Sequence, residues 1–350
     1  MTETDPSRDP LGRRYHRQAL LAGIGEDGQE RLHRSAAFIV GVGALGCVVA
    51  DCLARAGVGT LMVVDRDVVE PTNLQRQSLY TETDALDRVP KVEAAARRLA
   101  EVNQDVHVVP VAREFSWKNA ERLASGADVL IDATDNFLAR YLLNDVAVKH
   151  SVPMVYAGAV ATRGMTMTIR PGATPCLRCL HPELPRASET CDTVGVLGPL
   201  IHVVAGMQAA EAIKVLSGNV QACAPGLRTV DLWSGVMRTI AVGDGPDGEC
   251  PCCRGREFEF LSGAIGVGGA ALCGREAVQI RPAARSTLDL DALASVLGPH
   301  ATLTRSAHAL RAELRAEALE LTVFTDGRAI VAGTDDEEEA RGVYARYVGS

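Results

Sequence analysis

The clearest pattern along the chain is a pair of apolar strands joined through glycines. An apolar run at 36–40 (AAFIV) reads as a short buried strand and breaks at Gly41-Val42-Gly43-Ala44-Leu45-Gly46. A helical apolar pattern follows at once, and a second β-branched strand at 60–64 ends in Asp65. Further on, a helix is expected at about 89–102, where Val92, Ala95, Ala96 and Leu99 share one face. Strands are expected at 107–111, 128–131 and 153–157, with helices at 118–124 and 137–150 between them. A helix at 26–34 delivers the chain to the first strand. Strands alternating with helices at this spacing predict a Rossmann-like α/β fold, mostly parallel, with helices on both faces.

Past residue 160 the pattern changes. Hairpin-like strands are expected at 166–170 and within 229–242, an antiparallel extension of the sheet. Between them, 199–216 reads as a strongly apolar helix with Pro199 in its first turn and Gly218 at its end. Residues 1–12 read as a disordered tail, 13–254 as the main body and 255–275 as a glycine-rich linker. Residues 276–350 read as a small C-terminal α+β domain of strand, helix, two or three strands and a final helix at 336–348. In open parallel sheets ligands sit beyond the carboxyl ends of the strands, so Asp65 and the pair Asp132 and Asp135 should converge on one crevice.

The glycine loop carries definite chemistry. Gly41 permits a tight turn, Gly43 lets backbone approach a phosphate, and Gly46 lets helix and strand pack closely. The helix N-terminus offers N–H groups to an anion, and Asp65 is placed to accept hydrogen bonds from a ribose. A nucleotide site follows.

Composition excludes several classes. The formal net charge of −8 offers no basic surface for nucleic acid as a default. The polar start MTETDPSRDP is not a signal peptide. No apolar run reaches the ~18 residues expected of a membrane helix, the nearest being 263–274. The ten cysteines are sparse for a disulfide scaffold, and several lie in close pairs. A cytoplasmic protein is the expectation, with no membrane and no nucleic acid among its partners.

Cys176-x-x-Cys179 and Cys250-x-x-Cys253 are two knuckles of the kind that builds a tetrahedral four-cysteine zinc site. Their separation means that Zn2+ would staple together two distant parts of the body. Cys252 is an alternative ligand in the second knuckle. Cys191 stands alone in a polar, Pro-containing segment, 181–192, that reads as a mobile loop, and two readings remain open: a nucleophile or a bystander thiol. Cys47, Cys52, Cys223 and Cys273 lie in apolar surroundings and read as packing residues.

A dehydrogenase needs the glycine loop and Asp65 but no clustered cations and further acid. Arg76, Lys91 and Asp135 follow here at loop or helix-start positions, with Arg17 as a further cation. Cations beside phosphates and a carboxylate for Mg2+ suit ATP. The competing readings are an NAD-dependent oxidoreductase, resting on the glycine loop and Asp65 alone, and a non-catalytic zinc-stapled binding module.

The ordered motifs RYHRQ (14–18), GVGALG (41–46), VVDRDVVEPTNLQRQ (63–77), PK (90–91), DATDN (132–136), PCLRC (175–179), TC with GVLGPL (190–200) and CPCC (250–253) resemble those of the ThiF/MoeB/HesA adenylyltransferases, prokaryotic relatives of the ubiquitin-activating enzymes. The resemblance covers about residues 14–254. It implies ATP-dependent adenylation of the C-terminal glycine of a small ubiquitin-like sulfur carrier ending in Gly-Gly. It also implies that Gly41, Gly43 and Gly46 approach the nucleotide, that Asp65 binds its ribose, and that Asn73, Arg76 and Lys91 contact phosphates. Asp135 would bind Mg2+ and lead the catalysis. Arg17 would reach the ATP of a partner subunit, which implies a homodimer. Cys176, Cys179, Cys250 and Cys253 would hold zinc, and Cys191 matches a cysteine that links covalently to the carrier in ThiF-like members. A cysteine desulfurase or sulfurtransferase would supply sulfur. The C-terminal region resembles the tail of long ThiF-type enzymes assigned to thiazole synthesis, which favours thiamin over molybdopterin, and reads as a docking or dimer-stabilising module.

Overall fold

The computed structural model describes residues 14–184, 194–243, 245–265, 277–280, 288–334 and 336–349. The expected tail at 1–12, Cys191 with most of its loop, and Cys273 lie outside the described residues.

The organising strands form where the apolar pattern places them. β1 (Ala36–Val40) pairs in parallel with β2 (Thr60–Asp65) on one side and β4 (Val129–Asp132) on the other. β3 (His107–Ala112) lies outside β2, and β5 (Met154–Val160) follows β4. β6 (Arg163–Ile169), β7 (Leu227–Asp231) and β8 (Val236–Ile240) then add antiparallel, giving an eight-stranded sheet of order β3-β2-β1-β4-β5-β6-β7-β8. The expected 229–242 region is thus a hairpin, and β5 and β6 are longer than expected because they pair through a tight turn from Val160 to Arg163. The order reverses between β1 and β4, a switch point where the loops after the two strands part and leave a crevice.

Helices cover both faces. The preceding helices are α1 (His16–Ala19) and α2 (Gly25–Arg34). α3 (Ala44–Ala56) starts directly on the glycine loop and ends at Gly57, whose φ of +80° makes a left-handed cap. α4 (Glu82–Leu86) is capped by Thr81, and α5 (Lys91–Val102) starts after Pro90. α6 (Ala120–Ala124) is shorter than expected, whereas α7 (Phe137–His150) fills its expected range with Asn136 as its cap. α8 (Leu177–Leu180) follows the first cysteine knuckle, and α9 (Gly198–Leu216) crosses the sheet. Leu32, Leu53, Val92, Leu99, Ile201 and Val204 fill the core on the side of α3, α5 and α9. The opposite core holds Phe38, Phe115, Tyr141, Leu143 and Leu177 together with Phe260 and Leu261.

Two expectations need correction here. α9 is long and apolar enough, by length and composition, to cross a membrane, whereas the apolar pattern predicts no run of that length. Half of its apolar window is buried inside the protein, where Gln208 and Glu211 are also enclosed, so it is a core helix. The stretch expected to begin a linker at 255 instead packs into the body: Asp145 of α7 accepts the backbone N–H groups of Phe260 and Leu261 at 3.0 and 3.2 Å.

The C-terminal unit has its own antiparallel sheet, β10-β11-β12-β13-β9. Its elements are β9 (Ala277–Ile280), α10 (Leu290–Leu297), β10 (Ala301–Arg305), β11 (Ala309–Leu314), β12 (Glu320–Phe324), β13 (Ala329–Ala332) and α11 (Glu337–Tyr347). Four strands follow α10 rather than two or three, because 301–314 folds back on itself. A separate core forms around Leu293, Leu297, Leu310, Leu321 and Val343. Phe324, Ala309 and Ile330 pack instead on Val68 of the first body.

Candidate functional site

The crevice lies at the ends of β2, β1 and β4. Register places Val40 level with both Val64 and Asp132, so Asp65 and Asp132 flank the glycine loop on either side. Each glycine meets a different constraint. Gly41 has φ +89°, and a Cβ there would lie 2.6 Å from the Ala133 carbonyl oxygen. A Cβ at Gly46 would collide with the carbonyl of Gly41 itself. At Gly43 the nearest atom to such a Cβ is Nε2 of Gln77, 3.9 Å away, so the backbone there faces open space.

Asp65 also ties the loop down. Its Oδ2 accepts the N–H of Val42 at 2.7 Å and its Oδ1 the N–H of Asp67 at 2.8 Å. Desolvation pushes its carboxyl above the usual carboxylate range, while the Lys91 ammonium pulls it back. Lys91 is only 4% exposed, and its Nζ stands 3.3 Å from Asp67 Oδ2. The Lys91 N–H donates to the Asp67 carbonyl, so Asp67 holds the start of α5 by backbone and by side chain.

Asn73 is buried, its Oδ1 accepting the Glu70 N–H at 3.0 Å to close the turn Pro71–Asn73. Arg76 leaves that turn with Nη1 on the Thr72 carbonyl at 2.8 Å. Gln77, 4% exposed, is not singled out by sequence reasoning; its Oε1 makes no hydrogen bond among the described residues although its amide borders the space over Gly43. The room over Gly43 and this orphaned oxygen fit a polar ligand laid across the loop.

On the other flank, Asp132 is fully buried and does not face the crevice. Its Oδ2 takes Nε of Arg140 at 2.8 Å, and its Oδ1 takes the N–H and hydroxyl of Thr134 at 3.0 and 2.7 Å. Arg140 also donates to the Thr134 carbonyl and stacks between Phe137 and Tyr156. Gln208 of α9 braces the same strand end, donating to the carbonyls of Asp132 and Val155. The loop so braced presents Asp135, which is exposed and makes no hydrogen bond among the described residues. Asp135, and not Asp132, is the acid available to a ligand.

Arg17 does not join this group. α1 is anchored by Gln18 on the Ala56 carbonyl and by Arg14 on the Val102 carbonyl, the last turns of α3 and α5. The glycine loop and Lys91 lie at the opposite ends of those helices, about 20 Å away at 1.5 Å per residue over the 13 residues of α3.

The thiols of Cys176, Cys179, Cys250 and Cys253 all lie within 4.8 Å of one another. Separations of 3.7 Å (Cys176 to Cys250), 3.8 Å (Cys176 to Cys179) and 3.4 Å (Cys179 to Cys253) lie at or a little below the ~3.8 Å sulfur spacing of a tetrahedron with metal–sulfur bonds near 2.3 Å. No disulfide joins them. Burial and the neighbouring thiols push the Cys253 thiol up to about 12. Four sulfur donors gathered in this arrangement fit a metal ion. Cys252 stands outside the four. Its thiol donates to Asp145 and accepts from Asn144, both at 3.4 Å, while Asn144 Oδ1 takes the Leu177 N–H at 2.9 Å. Asn144 and Asp145 thus tie both knuckles to α7.

Residues 15–252 match the ThiF family. The sulfur carrier protein ThiS adenylyltransferase of Bacillus subtilis (strain 168) is 41% identical over 336 residues, 96% of this chain and 99% of that protein. The protein of the same description from Escherichia coli (strain K12) is 39% identical over 243 residues, 69% of this chain and 95% of that one. Among solved structures, E. coli MccB in complex with N-formylated MccA aligns with a TM-score of 0.61 at 22% identity, covering 69% of this chain and 75% of that one, a likeness of fold. With the motifs matched across most of its length and a relative aligned almost end to end, the chain belongs to the ThiF family.

Proposed function

We propose that this chain is an ATP-dependent adenylyltransferase acting on the C-terminal glycine carboxylate of a small ubiquitin-like sulfur-carrier protein ending in Gly-Gly. The observation that carries the reading is the meeting of an open glycine loop, Asp65 and the exposed Asp135 at one switch point. The B. subtilis relative, matched over 99% of its length, is named a sulfur carrier protein ThiS adenylyltransferase, which supports the reading.

In this reading Asp65 accepts from the ribose with the lone pairs that Val42 and Asp67 leave, and backbone at Gly43 approaches the phosphates. Asn73, Arg76 and Lys91 serve the phosphates, and Asp135 holds Mg2+, which supplies neutralisation of the phosphate charge. A carboxylate oxygen of the carrier attacks the α-phosphorus, the bond to the bridging oxygen breaks, and pyrophosphate leaves an acyl-adenylate. The carrier's own carboxylate is the nucleophile, so the protein contributes alignment and charge neutralisation. The exposed edge strand β8, with Met237 63% and neighbouring Trp233 80% exposed, supplies an apolar surface for the carrier's folded body.

Arg17, remote from its own crevice, serves the nucleotide of a second copy in a homodimer. Cys176, Cys179, Cys250 and Cys253 hold a structural Zn2+. Cys191 forms a covalent conjugate with the carrier, and a cysteine desulfurase or sulfurtransferase supplies sulfur for a thiamin thiazole, molybdopterin or related pathway in the cytoplasm. The adenylyltransferase body takes in 13–254 together with the Phe260 and Leu261 stretch packed onto it, and the C-terminal domain takes in 276–350.

The test is exchange of labelled pyrophosphate into ATP, with the ThiS protein of B. subtilis as the carrier probe. Exchange should require the carrier's terminal glycine and collapse in Asp135→Ala. Tight NAD binding with no ATP binding would overturn the reading.

A further inference from the structure

The C-terminal sheet touches the first body at the segments that shape the nucleotide crevice, and the family match ends at residue 252, before it begins. The turn between β12 and β13, Thr325-Asp326-Gly327-Arg328, carries the central contact. Arg328 is 5% exposed, lies over the Phe324 ring and pairs with Asp326 at 3.0 Å. Its Nη1 donates to the Arg66 carbonyl at 3.2 Å and its Nη2 to the Ala112 carbonyl at 3.0 Å. Those carbonyls lie at the ends of the neighbouring parallel strands β2 and β3, where the ladder stops providing partners.

The Arg66 carbonyl belongs to the same peptide unit as the Asp67 N–H, which donates to Asp65. Because a peptide unit is planar, fixing its oxygen fixes the direction of its N–H. Arg328 therefore holds one side of the peptide whose other side orients the Asp65 carboxylate. Asp67 in turn holds Lys91.

A second contact secures the other end of this segment. Glu93, in the first turn of α5 two residues after Lys91, accepts the His308 N–H at 2.7 Å and the Ser306 hydroxyl at 3.2 Å. Arg311 adds a bond to the Leu86 carbonyl, and Val68 is buried against Phe324 and Ile330. The stretch from Asp65 to Glu93 is thus gripped at both ends by a unit over 200 residues away in sequence.

We propose that Arg328 is a positioning residue for the nucleotide: through the 66–67 peptide the C-terminal sheet sets the orientation of Asp65 and Lys91. The inference rests on the ATP reading above. It gives the C-terminal domain a role in binding, where a module confined to docking or dimer contacts has none.

The test uses the full chain and Mg·ATP. By equilibrium dialysis, Arg328→Ala should weaken Mg·ATP binding about tenfold, the loss expected of charge-assisted bonds to a single peptide segment. The KM for the ThiS probe should stay within about twofold, since uniform loss of nucleotide binding leaves carrier binding alone. Arg328→Lys should recover only part, because an ammonium cannot present two N–H groups in the fork that spans both carbonyls. Arg346→Ala, which removes an ion pair with Glu317 and touches neither Arg66 nor Ala112, should leave ATP binding unchanged. Hydrogen–deuterium exchange of 65–70 should quicken in Arg328→Ala whether or not nucleotide is present, which reads the clamp separately from the ATP assignment. Wild-type ATP affinity in a folded Arg328→Ala, with unchanged exchange at 65–70, overturns the inference. A wild-type protein that binds no Mg·ATP overturns the site reading instead. Should Arg328→Ala fail to fold, Arg328→Lys carries the same comparison.

Discussion

Arg140 and Asp132 form a buried ion pair, Nε to Oδ2 at 2.8 Å, directly beneath the loop that presents Asp135. Burial raises the Asp132 carboxyl above its ordinary range and Arg140 opposes that rise. Removing the cation by Arg140→Met leaves a buried charge without its partner. Urea unfolding should show a loss of about 3–5 kcal/mol, the scale for breaking such a pair from one side. Adding Asp132→Asn to that variant should restore part of the loss, because no buried charge then remains.

Asp135 differs from Asp132 in being exposed, so its removal should separate chemistry from folding. Asp135→Ala is expected to keep its thermal midpoint while carrier-dependent pyrophosphate exchange falls ~100-fold or more, the scale for losing a group that stabilises developing charge. A variant that exchanges normally would remove Asp135 from the mechanism.

The two adjacent thiols of the second knuckle should respond differently. Metal analysis of purified protein should find zinc retained in Cys252→Ser and lost in Cys253→Ser, since Cys252 is bonded to Asn144 and Asp145 and stands outside the four. Chelator treatment should lower the thermal midpoint, because the four ligands join parts of the chain that are otherwise distant.

Asp145 provides a pH signature. Burial pushes its carboxyl up to about 6 from the ordinary value of 3.8. A raised native value means that the stability of the protonated form is present below pH 3.8 and is lost as pH rises through about 6. Asp145→Asn can keep an oxygen toward the Phe260 and Leu261 N–H groups without ionising. Unfolding of the metal-replete protein between pH 4 and 7.5 should therefore show the wild type falling, relative to the variant, by up to about 3 kcal/mol.

The β8 edge can be tested apart from the crevice. Met237→Asp should raise the KM for the carrier probe about tenfold, as expected for an interface hot spot, with ATP binding unaltered. A Trp233→Ala variant with wild-type carrier KM would place docking elsewhere.

What the sequence determined by itself was whatever short-range physics decides. β1 and α7 fall on their expected ranges because a strand's apolar run and a helix's stripe and cap are set within a few residues. The glycine loop was legible for the same reason: Gly41, Gly43 and Gly46 meet turn and packing constraints inside one β-α-β unit. The paired knuckles likewise announced the four-cysteine cluster, though the exclusion of Cys252 did not, because it depends on Asn144 and Asp145 more than 100 residues away. The braces of the crevice were hidden in the same way. Arg140 under Asp132, Gln208 on the β4 end and Arg328 on the Arg66 carbonyl are ordinary residues in ordinary elements, and only the path of the chain in three dimensions brings each to its partner. Local spacing writes the ligand-facing groups into the sequence, whereas their orientation comes from hydrogen bonds made across the fold.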